Sequence, residues 1–253
     1  ETGSGKEVAA RFIHSASAAA GKPFMAVNCA AIPAEMMESE LLGHERGAFT
    51  GASQRHLGYA ERAGDGILFL DEIGDLRVDL QAKLLRLIEE KSFFRLGGER
   101  PVSFKGRIIA ATNGDLGKLV ETGRFREDLY YRLNVLPVRV PALRERRQDI
   151  PWLMDRYFSD FASGTDTPLR GLSSLAEEAA LTYRWPGNIR ELRNRMERAV
   201  ALGIGQWIMP ADLFPENGEQ SHDSDGRIGS LEQARLDAER RHIVRALEAT
   251  GGE

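Results

Sequence analysis

The chain has 253 residues, a formal net charge of −4, 42% hydrophobic residues and a single cysteine. That balance belongs to a soluble globular protein of one large or two modest domains. It excludes a disulfide-stapled secreted fold and a surface built overall for nucleic acid. No apolar run approaches the ~20 residues of a bilayer span, and the lone Cys29 suits a reducing cytoplasm.

Residues 1–7 read Glu-Thr-Gly-Ser-Gly-Lys-Glu and lead into a helical stretch from Val8 to Ala20. Gly3, Gly5 and Lys6, with Ser4 between the glycines, match the end of a phosphate-binding loop, G-x-x-x-x-G-K-[ST]. Glycines let backbone N–H groups converge on phosphate oxygens, and a helix N-terminus adds a positive field. Lys6 supplies a point charge. The pattern's first glycine would precede Glu1, so the chain reads as a piece of something longer. Glu7 stands where a hydroxyl usually holds Mg²⁺. Alone, G-x-G-K is equally compatible with a chance turn.

Pro23 to Val27 reads as a short strand ending at Asn28, and Ala34 to Leu42 as a helix. Next comes Gly47-Ala48-Phe49-Thr50-Gly51-Ala52, flanked by charged and polar residues. Its glycines free the backbone, and Phe49 makes an apolar tip in a polar setting. Such a tip is either a contact surface or an ordinary turn whose phenylalanine folds back onto the core.

Ile67-Leu68-Phe69-Leu70 is a strand of the kind buried on both faces of a parallel sheet. Asp71 and Glu72 end it, at the edge where ligands bind in open α/β sheets. This is a Walker B pattern: Asp71 to hold Mg²⁺, Glu72 to polarise water. The bland alternative is an acidic helix start. Arg77 to Glu90 is an amphipathic helix, and Arg95 to Gly98 a turn or hairpin. Arg107 to Ala111 is a further strand, ending at Thr112-Asn113. Asn113 either senses a terminal phosphate or caps its strand. Arg124, Arg126 and Arg132 precede a predicted strand, Val135 to Val140. They suit the charge of a transferring phosphoryl group, or form a solvated face with Glu127 and Asp128.

From Arg144 the texture becomes helical, with helices predicted at 150–162, 173–183 and 188–202, the last capped by Asn188. Pro215 to Gly229 reads as a linker, and Leu231 to Ala249 as one more helix.

In this order, the phosphate loop, Gly-Ala-Phe-Thr-Gly-Ala, Leu-Asp-Glu, Phe-Arg-Glu-Asp-Leu and Trp-Pro-Gly-Asn-Ile-Arg-Glu-Leu resemble the central domain of bacterial enhancer-binding proteins. These are the AAA+ activators of transcription that depend on sigma-54. The resemblance implies an α/β P-loop NTPase subdomain with a parallel sheet over residues 1–143 and a smaller all-helical lid over 144–214. A linker over 215–230 and the first helix of a helix-turn-helix domain over 231–253 would follow. It implies ATP and Mg²⁺ as cofactors. Gly3, Ser4, Gly5, Lys6, Glu7 and the second sensor Arg190 would hold nucleotide. The family's loop commonly ends Gly-Lys-Glu, which accommodates Glu7. Asp71 and Glu72 match the Walker B pair, Asn28 the asparagine that switches the catalytic glutamate, and Asn113 the first sensor. Arg126 and Arg132 match arginine fingers that reach a neighbouring subunit's nucleotide. Gly47, Ala48, Phe49, Thr50, Gly51 and Ala52 would contact the sigma factor, with Arg95 to Gly98 cooperating.

The implied partners are sigma-54 RNA polymerase holoenzyme, copies of the same chain in a hexameric or heptameric ring, and enhancer DNA through the C-terminal domain. The implied setting is cytoplasmic, with no membrane partner. Two alternatives stand beside this: an AAA+ remodeller of another protein client, and a nucleotide-binding regulator that does not hydrolyse.

Overall fold

A computed structural model describes residues 1–163 and 167–215. The predicted linker and last helix lie outside the described residues, except Pro215. Helix α1 (Lys6–Ser15) is entered through Gly5, whose φ of 98° is left-handed backbone that glycine adopts without penalty. The helix stops short of the predicted Ala20, as Ser17 turns its hydroxyl onto the His14 carbonyl. Strand β1 (Phe24–Asn28) and helix α2 (Ala34–Leu42) follow, then the short α3 (Tyr59–Arg62). Strand β2 (Ile67–Asp71) leads through a 3₁₀ turn to α4 (Val78–Glu90). A hairpin of β3 (Ser92–Phe94) and β4 (Pro101–Ser103) precedes β5 (Arg107–Ala110), α5 (Leu116–Glu121) and α6 (Glu127–Leu133).

The sheet runs β1-β2-β5, all parallel. Its centre is β2, whose Ile67 to Leu70 are all buried, as a continuous apolar run requires. Parallel register puts Asn28 beside Asp71 and carries the chain after Ala110 to the same edge. Three polar strand ends thus meet along one rim, above a core that includes Leu41, Leu68, Leu70, Leu84 and Leu129.

The predicted strand Val135 to Val140 does not form. Val135, Leu136 and Val138 are 67%, 87% and 70% exposed. Among the described residues β5 pairs only with β2, so no strand lies beside this segment. Strand propensity without a neighbouring ladder does not make a strand.

A second core belongs to the helices that follow: α7 (Asp149–Ala162), α8 (Ser174–Thr182), α9 (Asn188–Leu202) and α10 (Pro210–Leu213). Two-residue strands β6 (Gly171–Leu172) and β7 (Trp207–Ile208) pair in parallel, too short to leave a sequence signal. Trp185 anchors this unit. It is fully buried, donates its indole N–H to the Ala180 carbonyl at 2.8 Å, and meets Tyr183 edge-on. Trp185→Ala is expected to cost about 3–5 kcal/mol of unfolding free energy, read from urea denaturation. A loss under about 1 kcal/mol would contradict its place at the centre of this core. Among the described residues no helix is long and apolar enough to cross a membrane.

Candidate functional site

The site grows from the rim of the sheet and the head of α1. Gly3 and Gly5 take φ of 72° and 98°, which coils residues 1–5 into a tight loop. Ser4 is buried and donates its hydroxyl to the Glu1 carbonyl. Lys6 donates Nζ to that carbonyl at 3.1 Å, and stands 3.9 Å from Glu72 Oε1.

Glu72 sits just past β2 at φ 53°, left-handed backbone that a non-glycine residue holds only at a cost. Its N–H donates to Asp71 Oδ1 at 3.1 Å. Its Oε2 accepts the Asn113 N–H at 3.0 Å. Asn113 in turn donates its amide to Thr2 Oγ1 at 3.0 Å. Lys6, Glu72, Asn113 and the phosphate loop therefore form one connected cluster from three elements far apart in sequence. Asp71 Oδ2 carries no protein hydrogen bond among the described residues.

Arg190 meets the glycine loop through its backbone, its N–H 3.4 Å from the Gly3 carbonyl. It lies in the first turn of α9 and lines a 440 Å³ cavity together with Thr2, Asn194 and Arg198. This space lies between phosphate loop and lid.

Not every predicted residue converges. Asn28 stands beside Asp71 in register, but its Oδ1 accepts the Ala30 N–H and no hydrogen bond joins it to Glu72 among the described residues. Glu7 turns away: its carboxylate pairs with Arg11 on the outside of α1. Its place in the first helical turn explains this, since i,i+4 spacing puts Arg11 next to it. Arg126 is locked in a two-pronged pair with Asp128, and Arg132 is exposed at the end of α6. Both lie outside this chain's own cluster. Cys29, next to Asn28, is buried, and that burial pushes its thiol up to about 12.

Asn188 is a correction. It does not cap α9; its backbone has φ 53° and its fully buried side chain points at the phosphate loop. The cap position is Gly187, whose N–H donates to Glu191 Oε2 at 2.9 Å. Arg144 and Arg146 were also missed as loop contacts. Arg144 grips the Glu1 carboxylate with both Nη atoms, holding that carboxyl down at about 2. Arg146 donates to the Ser4 carbonyl at 2.6 Å.

The Gly47–Ala52 loop stands on its own scaffold. Gly47 donates to the Ala52 carbonyl and Ala52 to the Phe49 carbonyl, which pinches the tip. Phe49 is 46% exposed, resting edge-on against His44 with ring centres 4.9 Å apart. His44 Nδ1 lies 2.7 Å from Ser39 Oγ on α2. The hairpin supports the stem: Gly97 lies against Ala48, where a Cβ would come within 2.9 Å. Arg95, 11% exposed, forks onto Glu61 at 2.7 and 2.9 Å and reaches Glu45 at 2.8 Å. Arg55 joins at Glu61. Hydrogen bonding from Arg95 holds the Glu61 carboxyl below the usual carboxylate range. These partners are 34 and 50 residues apart, beyond any local pattern.

A parallel sheet with a glycine loop at the head of α1, paired carboxylates on its rim and a helical lid behind define the class: an AAA+ fold. Residues 1–139 match the sigma-54 interaction domain and residues 144–228 the AAA+ ATPase lid domain. Response regulator protein PilR of Pseudomonas aeruginosa is 47% identical over 254 residues, covering 99% of this chain and 57% of that protein. Transcriptional regulatory protein ZraR of Salmonella typhimurium is 45% identical over 258 residues, covering 100% and 57%. The crystal structure of NtrX from Brucella abortus in complex with ATP superposes with a TM-score of 0.78 at 35% identity, again covering 100% and 57%. The chain belongs to the sigma-54-dependent activator family. It spans little more than half the length of these relatives.

Proposed function

We propose that the protein hydrolyses ATP and uses the energy to remodel sigma-54 RNA polymerase holoenzyme through the Gly47–Ala52 loop. The observation that carries this reading is the cluster of Lys6, Glu72 and Asn113 on the rim, with Asp71 next to Glu72. Lys6 and the loop's N–H groups bind the outer phosphates of the substrate. Glu72 accepts the proton of the attacking water, oriented by its bond from Asn113. Arg190 closes the site from the lid. Asp71 would hold Mg²⁺, which keeps most of its ligands as water and phosphate oxygens. When bound, Mg²⁺ neutralises charge on the phosphates.

Arg126 and Arg132 lie off this cluster, as groups do that serve a neighbour's site. An arginine supplied in trans is worth about 10³–10⁵ in rate, so catalysis rests on ring assembly. Six or seven copies complete such a ring. Enhancer DNA is engaged by a domain beyond the lid, with the linker over 215–230 between them.

The test is specific ATPase activity against protein concentration. A cooperative rise is expected, and Arg132→Ala mixed into the wild-type protein should depress the mixture below the sum of its parts. Activity strictly proportional to concentration from nanomolar upward, insensitive to the mixed variant, would reject the shared site.

A further inference from the structure

Every residue of the phosphate loop from Glu1 to Ser4 is held by the lid or the hinge. Arg144 takes the Glu1 carboxylate. The Gly3 carbonyl accepts from Ile189 N at 3.0 Å and from Arg190 N at 3.4 Å. The Ser4 carbonyl accepts from Arg146. Gly3 itself is pressed against the lid, where a Cβ would fall 2.4 Å from the Gly187 carbonyl oxygen.

One side chain spans all three parts. Asn188 Oδ1 accepts the N–H of Leu143 at 2.8 Å, where the chain leaves the sheet unit. Its Nδ2 donates to Glu1 Oε2 at 3.1 Å and to the Thr2 carbonyl at 3.0 Å. Both donors and one of the two acceptor sites of the amide are used. The backbone is left-handed there, a conformation asparagine tolerates better than most residues. Aspartate shares that tolerance but cannot donate; glycine shares it but has no amide. Asparagine alone meets both demands.

We infer that Asn188 is a positioning residue for nucleotide: it fixes the phosphate loop to hinge and lid together, so that lid movement and phosphate-loop geometry are one event. This rests on the reading of residues 1–6 as the phosphate site. The physical argument is preorganisation. A loop whose carbonyls are already tied down keeps its N–H groups aimed at the phosphates, and ordering it on binding costs less. Asn188 touches no substrate itself; it acts through Glu1 and Thr2.

The experiment uses the complete protein and measures KM for ATP, kcat and the melting temperature of four forms. Asn188→Asp keeps the acceptor for Leu143 but sets a second carboxylate against Glu1. It is expected to raise KM about tenfold or more, with kcat changed less. Asn188→Gly keeps the backbone and removes the amide, with an intermediate rise in KM. Glu1→Gln combined with Asn188→Asp returns a donor to that junction and should recover most of the lost affinity. Lys6→Ala is the control for the phosphate site. If Lys6→Ala abolishes ATP binding while Asn188→Asp leaves KM unchanged, the positioning role is wrong and the phosphate site stands. A lowered melting temperature with unchanged KM overturns it equally, since a purely structural asparagine would do only that. Failure of the double variant to improve on Asn188→Asp refutes the Glu1 contact as the cause. If Lys6→Ala also binds ATP normally, the phosphate-site reading falls, and this inference with it.

Discussion

Replacing Glu72 by Gln in the complete protein is expected to lower kcat for ATP by about 10²–10³-fold, with nucleotide affinity within about threefold of wild type. The geometry separates the two effects. Glutamine is nearly isosteric and keeps an oxygen for the Asn113 N–H, which Glu72 accepts at 3.0 Å. The strained backbone at φ 53° and the neighbouring Asp71 are untouched. What disappears is the carboxylate charge proposed to accept a proton from water. Binding does not suffer, because the lost carboxylate lies 3.9 Å from Lys6 and would repel the phosphates that Lys6 attracts. Steady-state hydrolysis and titration with a fluorescent nucleotide check the two halves. Full turnover would remove Glu72 from the chemistry, and lost affinity would make it a structural residue.

What the sequence makes legible follows from locality. The four-residue apolar run of β2 must be buried on both faces, so its place at the sheet centre is readable, and so is the exit of Asp71 and Glu72 at the rim. Gly5 before a helical stretch announces a left-handed entry. The amphipathic period of α4 and α9 is local in the same way. The illegible parts depend on tertiary partners. Val135 to Val140 carries a strand's composition, but composition does not reveal whether a neighbouring strand is there to pair. Asn188 follows a Trp-Pro-Gly turn and looks like a helix cap; its side chain goes instead to Glu1 and Thr2, 187 and 186 residues away. Glu7 occupies a motif position, yet i,i+4 pairing with Arg11 decides where its carboxylate points. The Arg95 fork needs Glu45 and Glu61, which an ordinary reading leaves as solvated charges.

That fork sets the second large effect. The loop has an apolar tip and a charged stem, and changing either should uncouple hydrolysis from output. Phe49→Ala removes the exposed ring that rests on His44, and is expected to weaken sigma-54 capture by about 30-fold or more, the usual result of truncating an aromatic anchor. Basal ATPase activity should stay within about twofold, since the ring touches no residue of the phosphate cluster. Arg95→Ala acts at the other end. It leaves Glu45 and Glu61 without the guanidinium that joins them and removes the side-chain tie between hairpin and stem, while the backbone bonds of Leu96 with Gly43 and Glu45 remain. Capture is expected to fall less than with Phe49→Ala, through loosening of the stem. Arg95→Lys should be intermediate, because an ammonium keeps the charge but cannot fork onto one carboxylate while reaching another. The clamp also has a pH signature. Glu61 is held below the ordinary carboxylate range, so its stabilising share is fully present above that range and disappears as pH falls through the lowered value. Capture of sigma-54 in a pull-down, run beside hydrolysis rates, reads both ends of the loop. Undiminished capture by Phe49→Ala would mean that the tip is not the contact. Capture lost with Phe49→Ala but intact with Arg95→Ala would mean that the tip works without its clamp.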